Sequence, residues 1–172
     1  LHFYTLLVNT LPDDVQKEID SSHYTVADFG CAQGEGTEFF AKSFPGARVT
    51  GVDISEEGIK IAKAKHKTAE FIATDLTKYS GEFDVIISSN TMEHFHQPWD
   101  VLMRLSSKAK KYMIILVPFD QSGIPFEEHF YSFNYDNIPS ELSGFKLVYM
   151  KIAHPDPKFW GEKQILLIYK KV

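Results

Sequence analysis

Between Thr25 and Pro118, short β-rich runs alternate with helical ones, and this alternation restricts the chain more than any other feature. The runs are "TVADFG" (Thr25–Gly30), "ARVTGVD" (Ala47–Asp53), "AEFIAT" (Ala69–Thr74), "FDVIISS" (Phe83–Ser89) and "YMIILVP" (Tyr112–Pro118). Helical patterns fill the gaps at about Glu35–Ser43, Glu56–His66 and Trp99–Ser107. Strand, helix and strand in repetition build parallel βαβ units. Several runs are almost wholly apolar, as strands covered on both faces must be. Ser55 followed by Glu56 and Glu57 marks a helix start, because the serine caps free amides and the acids meet the positive helix end.

Beyond Pro118 the pattern changes. An aromatic-rich connection, "FDQSGIPFEEHFYSFNYDNIP", leads to an expected short helix, and "FKLVYMKIA" and "KQILLIYKKV" read as two closing strands joined by "HPDPKFWGE". That loop is too short for a parallel crossover, so the two pair antiparallel. The expectation is an α/β fold: a mostly parallel sheet with one antiparallel strand near an edge, preceded by a helix or two up to about Asp20. At 172 residues and 44% hydrophobic content the chain suits a single domain, 1–172, with an N-terminal helical segment over 1–24.

The formal charge of -5 offers no positive field for a phosphate backbone, so nucleic acid is not an expected partner. Cys31 is the only cysteine, which excludes an internal disulfide and fits a reducing compartment; cytoplasm is the expected location. No targeting signal or membrane segment is read in the opening "LHFYTLLVNTLPDD". The basic run "KIAKAKHK" reads as a solvated helix end. "HPDPKFWGE" reads as a packed turn, with Phe159 and Trp160 as a second possibility for covering a site.

In "VADFGCAQGEGT" (Val26–Thr37), Gly30, Gly34 and Gly36 bare the first strand-to-helix turn. In open α/β sheets that is where ligands bind, beyond the carboxyl ends of the strands. A phosphate-binding loop would need lysine after the last glycine, and Thr37 stands there. A dinucleotide fingerprint counted from Gly30 would place glycines where Ala32 and Glu35 stand. Asp28, just before the glycines, suits a ligand bearing an ammonium group. Asp53 ends the second strand, where a carboxylate meets ribose hydroxyls, and Asp75 follows the third. An amino group, a ribose and an adenine amine occur together in S-adenosylmethionine. Taken singly, each acid also reads as a cap or a solvated loop residue.

"VADFGCAQGEGT", "VTGVDIS", "IATDL" and "FDVIISSNTMEHF" together resemble the successive motifs of class I S-adenosylmethionine-dependent methyltransferases, over about Thr25–Pro118. The resemblance implies a Rossmann-like three-layer sandwich with a seven-stranded sheet, a cofactor-binding half over 25–118 and an acceptor-side half over 119–172. It also implies that Asp28, Gly30, Cys31 and Gly34 border the methionine part, Asp53 the ribose, Ile54 and Leu76 the adenine faces, Asp75 the adenine amine, and Asn90 the fourth strand end. S-adenosylhomocysteine is then the product. Ala32 departs from the family's usual glycine, at little cost if its φ is negative.

For a hydroxyl acceptor, the protein must also help remove a proton. His94 and His96 in "NTMEHFHQP" and His129 in "FEEHFYSF" are candidate bases, with His129 and His94 preferred as catalytic residues. The alternative for His94 is a structural pairing with Glu93 that orients the loop. The alternative for His129 is an aromatic core patch with Phe126, Phe130, Tyr131 and Phe133. Glu93, His94, Glu127, Glu128 and His129 also suggest a divalent cation, as in metal-dependent small-RNA 2′-hydroxyl methyltransferases. Asn90 stands where those enzymes carry their first glutamate and their later histidine-rich motif is missing, so no metal is expected. The expected acceptor is a small molecule or glycan hydroxyl, the glycan by similarity to domains associated with bacterial surface-glycan assembly. Nitrogen or carbon methylation of a metabolite, RNA methylation and noncatalytic binding of an adenosyl ligand remain alternatives.

Overall fold

The computed structural model describes residues 1–121 and 128–172. Two helices, α1 (His2–Thr10) and α2 (Asp13–Ser21), precede β1 (Thr25–Phe29), α3 (Glu35–Ser43), β2 (Arg48–Asp53), α4 (Glu56–Lys65) and β3 (Glu70–Ala73). Then come β4 (Phe83–Ser89), α5 (Pro98–Ser106), β5 (Ala109–Pro118), β6 (Glu141–Leu142), β7 (Phe145–Ala153) and β8 (Gln164–Lys171). The sheet has eight strands in the order β3-β2-β1-β4-β5-β8-β7-β6. β1 to β5 run parallel, β8 is antiparallel to β5 and β7, and β6 is antiparallel to β7.

Two expectations need correction. The sheet has eight strands, not seven, and two of them oppose the rest. The extra strand is the two-residue β6, which pairs Glu141 with Lys146 and Leu142 with Phe145. No short helix follows the aromatic connection among the described residues; β6 and a turn at Ser143–Gly144 occupy that stretch. Left-handed Ser143 and Gly144 make this a tight hairpin turn from β6 into β7, while inside the connection the Asn134 side-chain oxygen accepts from the amides of Asp136 and Asn137. β5 also starts earlier than its apolar run, at Ala109, because Ala109 pairs with Phe83 while Lys110 and Lys111 stay exposed.

Alternation along the strands separates two cores. Val26, Val85, Ile87 and Ile114 pack with Leu7, Ile19 and Phe40 of α1, α2 and α3. Ala27, Ile86, Met113 and Ile115 pack with Leu102 and Leu105 of α5 on the opposite face. α4 closes a smaller cluster of Cys31, Ile59, Ala62 and Phe71. Ser55 caps α4 as its sequence implied, accepting from the Gly58 amide at 3.1 Å. No described helix is long and apolar enough to cross a membrane.

Asp28 shares a face with Val26 and points under α1 and α3. The Tyr4 and Thr37 hydroxyls donate to its two carboxylate oxygens, tying both helices to β1. Asp28 is wholly buried, and burial pushes its carboxyl up from 3.8 to about 6. Beside it, a Cβ at Gly36 would strike the Tyr4 ring, so this glycine makes room for an aromatic ring of the protein's own.

Gly36→Ala is expected to cost about 1–3 kcal/mol of overpacking, against at most about 1 kcal/mol of helix propensity gained. In a Tyr4→Ala background the clash is gone and the same change becomes neutral or stabilising, which urea unfolding of the four proteins reads directly. Asp28 yields a second prediction. A raised carboxyl binds more protons folded than unfolded between about pH 4 and 6, so stability is lost as pH rises through that window, on the order of 3 kcal/mol by pH 7. Asp28→Asn removes this loss: relative to the wild type, the variant gains stability between pH 4 and pH 7. A difference in unfolding free energy that stays flat with pH would rule out the buried carboxyl as its source.

Candidate functional site

Because β1 to β5 are parallel, their carboxyl ends form one rim, and the predicted ligand residues divide between that rim and the interior. Asp53, at the end of β2, is half-buried. Its Oδ2 accepts from the Ala32 amide and its Oδ1 from the Ser55 amide, both at 2.9 Å. Each oxygen keeps a further lone pair for a hydroxyl donor. Ile54 beside it is 77% exposed, an apolar side chain standing in solvent at the strand end. Asp75, after β3, is half-buried at the rim; the Thr77 hydroxyl and amide donate to its Oδ1, and Lys78 lies 3.4 Å from its Oδ2. The Thr77 hydroxyl bond leads the effects that hold its carboxyl below the ordinary value.

Three predicted residues are positioned otherwise. Asp28 turns inward, so it positions the turn and offers no carboxylate to the rim; the β alternation that puts Val26 in the core puts Asp28 there too. Leu76 is wholly buried in the α5-side core and presents no face to a ligand. The Cys31 side chain lies in the α4 cluster beside Gly51, and burial, followed by the Asp28 and Asp53 charges, pushes its thiol up.

The bare turn serves the protein's own packing. A Cβ at Gly30 would lie 2.5 Å from Thr91, and one at Gly34 would lie 2.5 Å from the Phe71 ring. Both glycines have left-handed backbones, with φ of 80° and 85°. Gly30 thus lets the β1 turn touch Thr91, at the start of the segment after β4. Ala32 has φ 48°, so the favourable condition of negative φ is not met. A left-handed alanine costs about 1–2 kcal/mol. Asn90 (φ 51°) and Asp120 (φ 54°) are left-handed as well, at the ends of β4 and β5. The Asn90 amide side chain donates to Gln164 Oε1 at 3.1 Å.

The structure brings His94 and His129 together, with ring centroids 5.2 Å apart and planes at 81°. The Glu93 carbonyl accepts from the Phe130 and Tyr131 amides, which stitches the chain after His129 to the turn at Met92–His94. His94 is exposed and its Nδ1 lies 2.8 Å from the Glu128 carbonyl oxygen. His129 is buried and its Nδ1 lies 3.0 Å from Gln121 Oε1, while the Gln121 amide nitrogen donates to Glu162 at 2.6 Å. Burial, then the neighbouring His94, lowers the pKa of His129. Glu93 is 1% exposed, its Oε2 has no hydrogen-bond partner among the described residues, and burial pushes its carboxyl up to about 7. His96 stacks on Phe130 at 4.4 Å, outside this group. Phe126 and Glu127, named from sequence, lie outside the described residues.

Sequence reasoning missed Tyr4, Thr91, Gln121 and Glu162. No spacing signal links these residues to the turn or to His129, because each arrives through tertiary packing.

Solved structures share this architecture. A magnesium protoporphyrin IX methyltransferase from Synechocystis PCC 6803 with bound SAH is similar with TM-score 0.73 at 20% identity, covering 99% of this chain and 84% of that one. A 1,6-didemethyltoxoflavin-N1-methyltransferase from Burkholderia thailandensis gives TM-score 0.68 at 20% identity, covering 93% of this chain and 77% of that one. By sequence, the chain is 27% identical over 168 residues to a malonyl-[acyl-carrier protein] O-methyltransferase of Acetivibrio thermocellus, covering 94% of this chain and 56% of that protein. The chain spans about half or less of the length of the curated relatives it matches. Residues 26–111 match the methyltransferase domain family, half of the chain and the whole stretch from β1 into β5, and the chain belongs to that family.

Proposed function

We propose that the protein is an S-adenosylmethionine-dependent methyltransferase that methylates a hydroxyl of a small molecule or glycan. The observation that carries the reading is the pairing of Asp53 with the exposed Ile54 at the end of β2, within the family-matched stretch. A carboxylate with spare lone pairs beside an outward apolar side chain fits a ribose diol and an adjoining flat base. Asp75 stands one strand further along the rim, where it can accept from an exocyclic amine. These residues fit an adenosyl group, and the first-turn backbone at Gly30–Gly34 borders the rest of the ligand.

When bound, the donor supplies a methyl group on a positively charged sulfur, and its transfer leaves S-adenosylhomocysteine. What the chain adds is alignment and a destination for the acceptor's proton. Gly30 and Thr91 in contact bring the β1 turn against the segment that carries Glu93 and His94. The acceptor therefore approaches between that turn and His129. A hydroxyl is favoured because its oxygen must lose a proton to become a good nucleophile, and a cluster of imidazole and carboxylate lone pairs suits that need. The negative chain charge argues against RNA.

Calorimetry with S-adenosylhomocysteine should give micromolar-range binding, weakened at least about tenfold (1.4 kcal/mol) by Asp53→Ala. Equal affinity for the two proteins would refute the ribose assignment. With radiolabelled donor and a panel of hydroxyl, amine and carbon acceptors, label should pass to a hydroxyl compound. His129→Ala should abolish that transfer while leaving S-adenosylhomocysteine affinity intact. Label passing only to amines would move the protein to the nitrogen class.

A further inference from the structure

We propose that Glu93, His94 and His129 form a binding site for one divalent first-row transition-metal ion. Sequence reading set a metal aside because Asn90 replaces a glutamate and a later histidine motif is missing. The fold nevertheless brings His129 beside Glu93 and His94. One ligand-type atom from each of the three side chains lies within 4.8 Å of the other two. Ligands spread tetrahedrally around one ion at about 2.0–2.2 Å lie about 3.3–3.6 Å apart, so closing the site requires each ligand atom to move inward by up to about 1 Å.

Three observations point to a cation. First, Glu93 is 1% exposed and its Oε2 is without a hydrogen-bond partner among the described residues. A buried carboxylate oxygen left this way costs free energy unless something positive meets it. Second, both imidazoles are held in the tautomer a metal needs. The Nδ1 of His94 faces a backbone carbonyl, which can only accept, so the proton of the neutral ring sits on Nδ1 and the lone pair on Nε2. Gln121 does the same for His129, because its amide nitrogen is committed to Glu162 and its oxygen must therefore face the ring. Histidine ligands characteristically carry such an outer hydrogen bond, and here a carbonyl and a Glu162–Gln121 relay supply it. Third, His94 is exposed while Glu93 and His129 are buried, so an ion can enter from solvent and lose its water on the inner side.

Two imidazoles and one carboxylate favour zinc, manganese, iron(II) or cobalt over magnesium or calcium, and three protein ligands leave coordination positions open. Resting on the methyltransferase reading, an open position beside the β1 turn would take the acceptor oxygen and lower its pKa. His129 would then act as a ligand instead of a free base. Metal binding itself stands without that clause.

Tag-free protein, stripped with chelator and titrated with cobalt(II), should take up one equivalent with visible d–d absorption that zinc displaces. The bound ion should raise the melting temperature. His94→Ala, at an exposed position, and His129→Ala should each weaken binding at least tenfold. Glu93→Gln should do the same, with circular dichroism confirming that it folds. His154→Ala, elsewhere on the chain, should leave binding unchanged. Absence of saturable cobalt uptake by the wild type, or uptake that His94→Ala and His129→Ala both leave untouched, would overturn the site. S-adenosylhomocysteine calorimetry on the stripped protein separates the two readings: cobalt binding without adenosyl binding sinks the methyltransferase assignment and leaves the metal site standing.

Discussion

The rim depends on one packing constraint: at two places in the turn after β1 and one at the start of α3, the protein's own side chains occupy the volume where a Cβ would stand. Thr91 sits against Gly30, Phe71 against Gly34 and Tyr4 against Gly36. Each contact joins the turn to a different part of the fold: the segment after β4, the β3 edge and the N-terminal helix. The bare backbone first reads as room for a ligand. Its immediate role is to draw three elements onto one turn, which fixes the height of the rim relative to the segment after β4. A turn held at three points does not need the ligand to order it. Its backbone amides are placed in advance, and less ordering entropy is lost on binding.

The acids illustrate how burial sorts residues that look equivalent in sequence. Asp28, Asp53 and Asp75 all fall at or just beyond strand ends, yet they face different surroundings. Asp53 and Asp75 remain partly in solvent and their hydrogen bonds come from nearby backbone and hydroxyl groups. Asp28 lies within the sheet, where pleat alternation assigns it to the α1 and α3 face, and two hydroxyls substitute for water. Tyr4 completes that replacement, so the N-terminal helix is part of the first turn's electrostatics and not an appendage. Its ring also packs against Gly36, which makes the contact both polar and steric.

Much of the fold was legible because hydrophobic runs bounded by glycine and acid reveal strands directly. β4 and β7 agree with "FDVIISS" and "FKLVYMKIA", and α3 with its Glu35–Ser43 pattern. What the pattern could not show was β6, since two residues have no period, and the left-handed Ser143–Gly144 turn that stands where a short helix was expected. Asp53 and Ile54 were legible in the site because position at a strand end determines their exposure. Leu76 was not, because the turn after β3 points its side chain down into the α5 core. Gln121 and Glu162 were invisible for a different reason: β5 and β8 pair antiparallel, with Pro118 opposite Gln164, and this pairing alone brings residues so distant in sequence together.

Three of the five non-glycine residues with left-handed backbones among the described residues lie on this same edge; the others, His23 and Ser143, stand before β1 and between β6 and β7. Ala32, Asn90 and Asp120 adopt left-handed conformations without being glycine, and they follow β1, β4 and β5, the strands that lie side by side in mid-sheet. The conformation costs Ala32 on the order of 1–2 kcal/mol, less for Asn90 and Asp120, whose short polar side chains tolerate it, and neighbouring contacts hold all three. Those contacts are present. The Ala32 amide is held by Asp53, the Asn90 amide by the Leu116 carbonyl and the Asp120 amide by the Phe133 carbonyl. Asp53 therefore has two duties, restraining the strained turn and presenting its remaining lone pairs outward. The Phe133 bond plays the corresponding part on the other side, pinning the chain that carries His129 to the end of β5. The hydrogen bonds that hold these three residues therefore tie the ends of β1, β4 and β5 together along the rim.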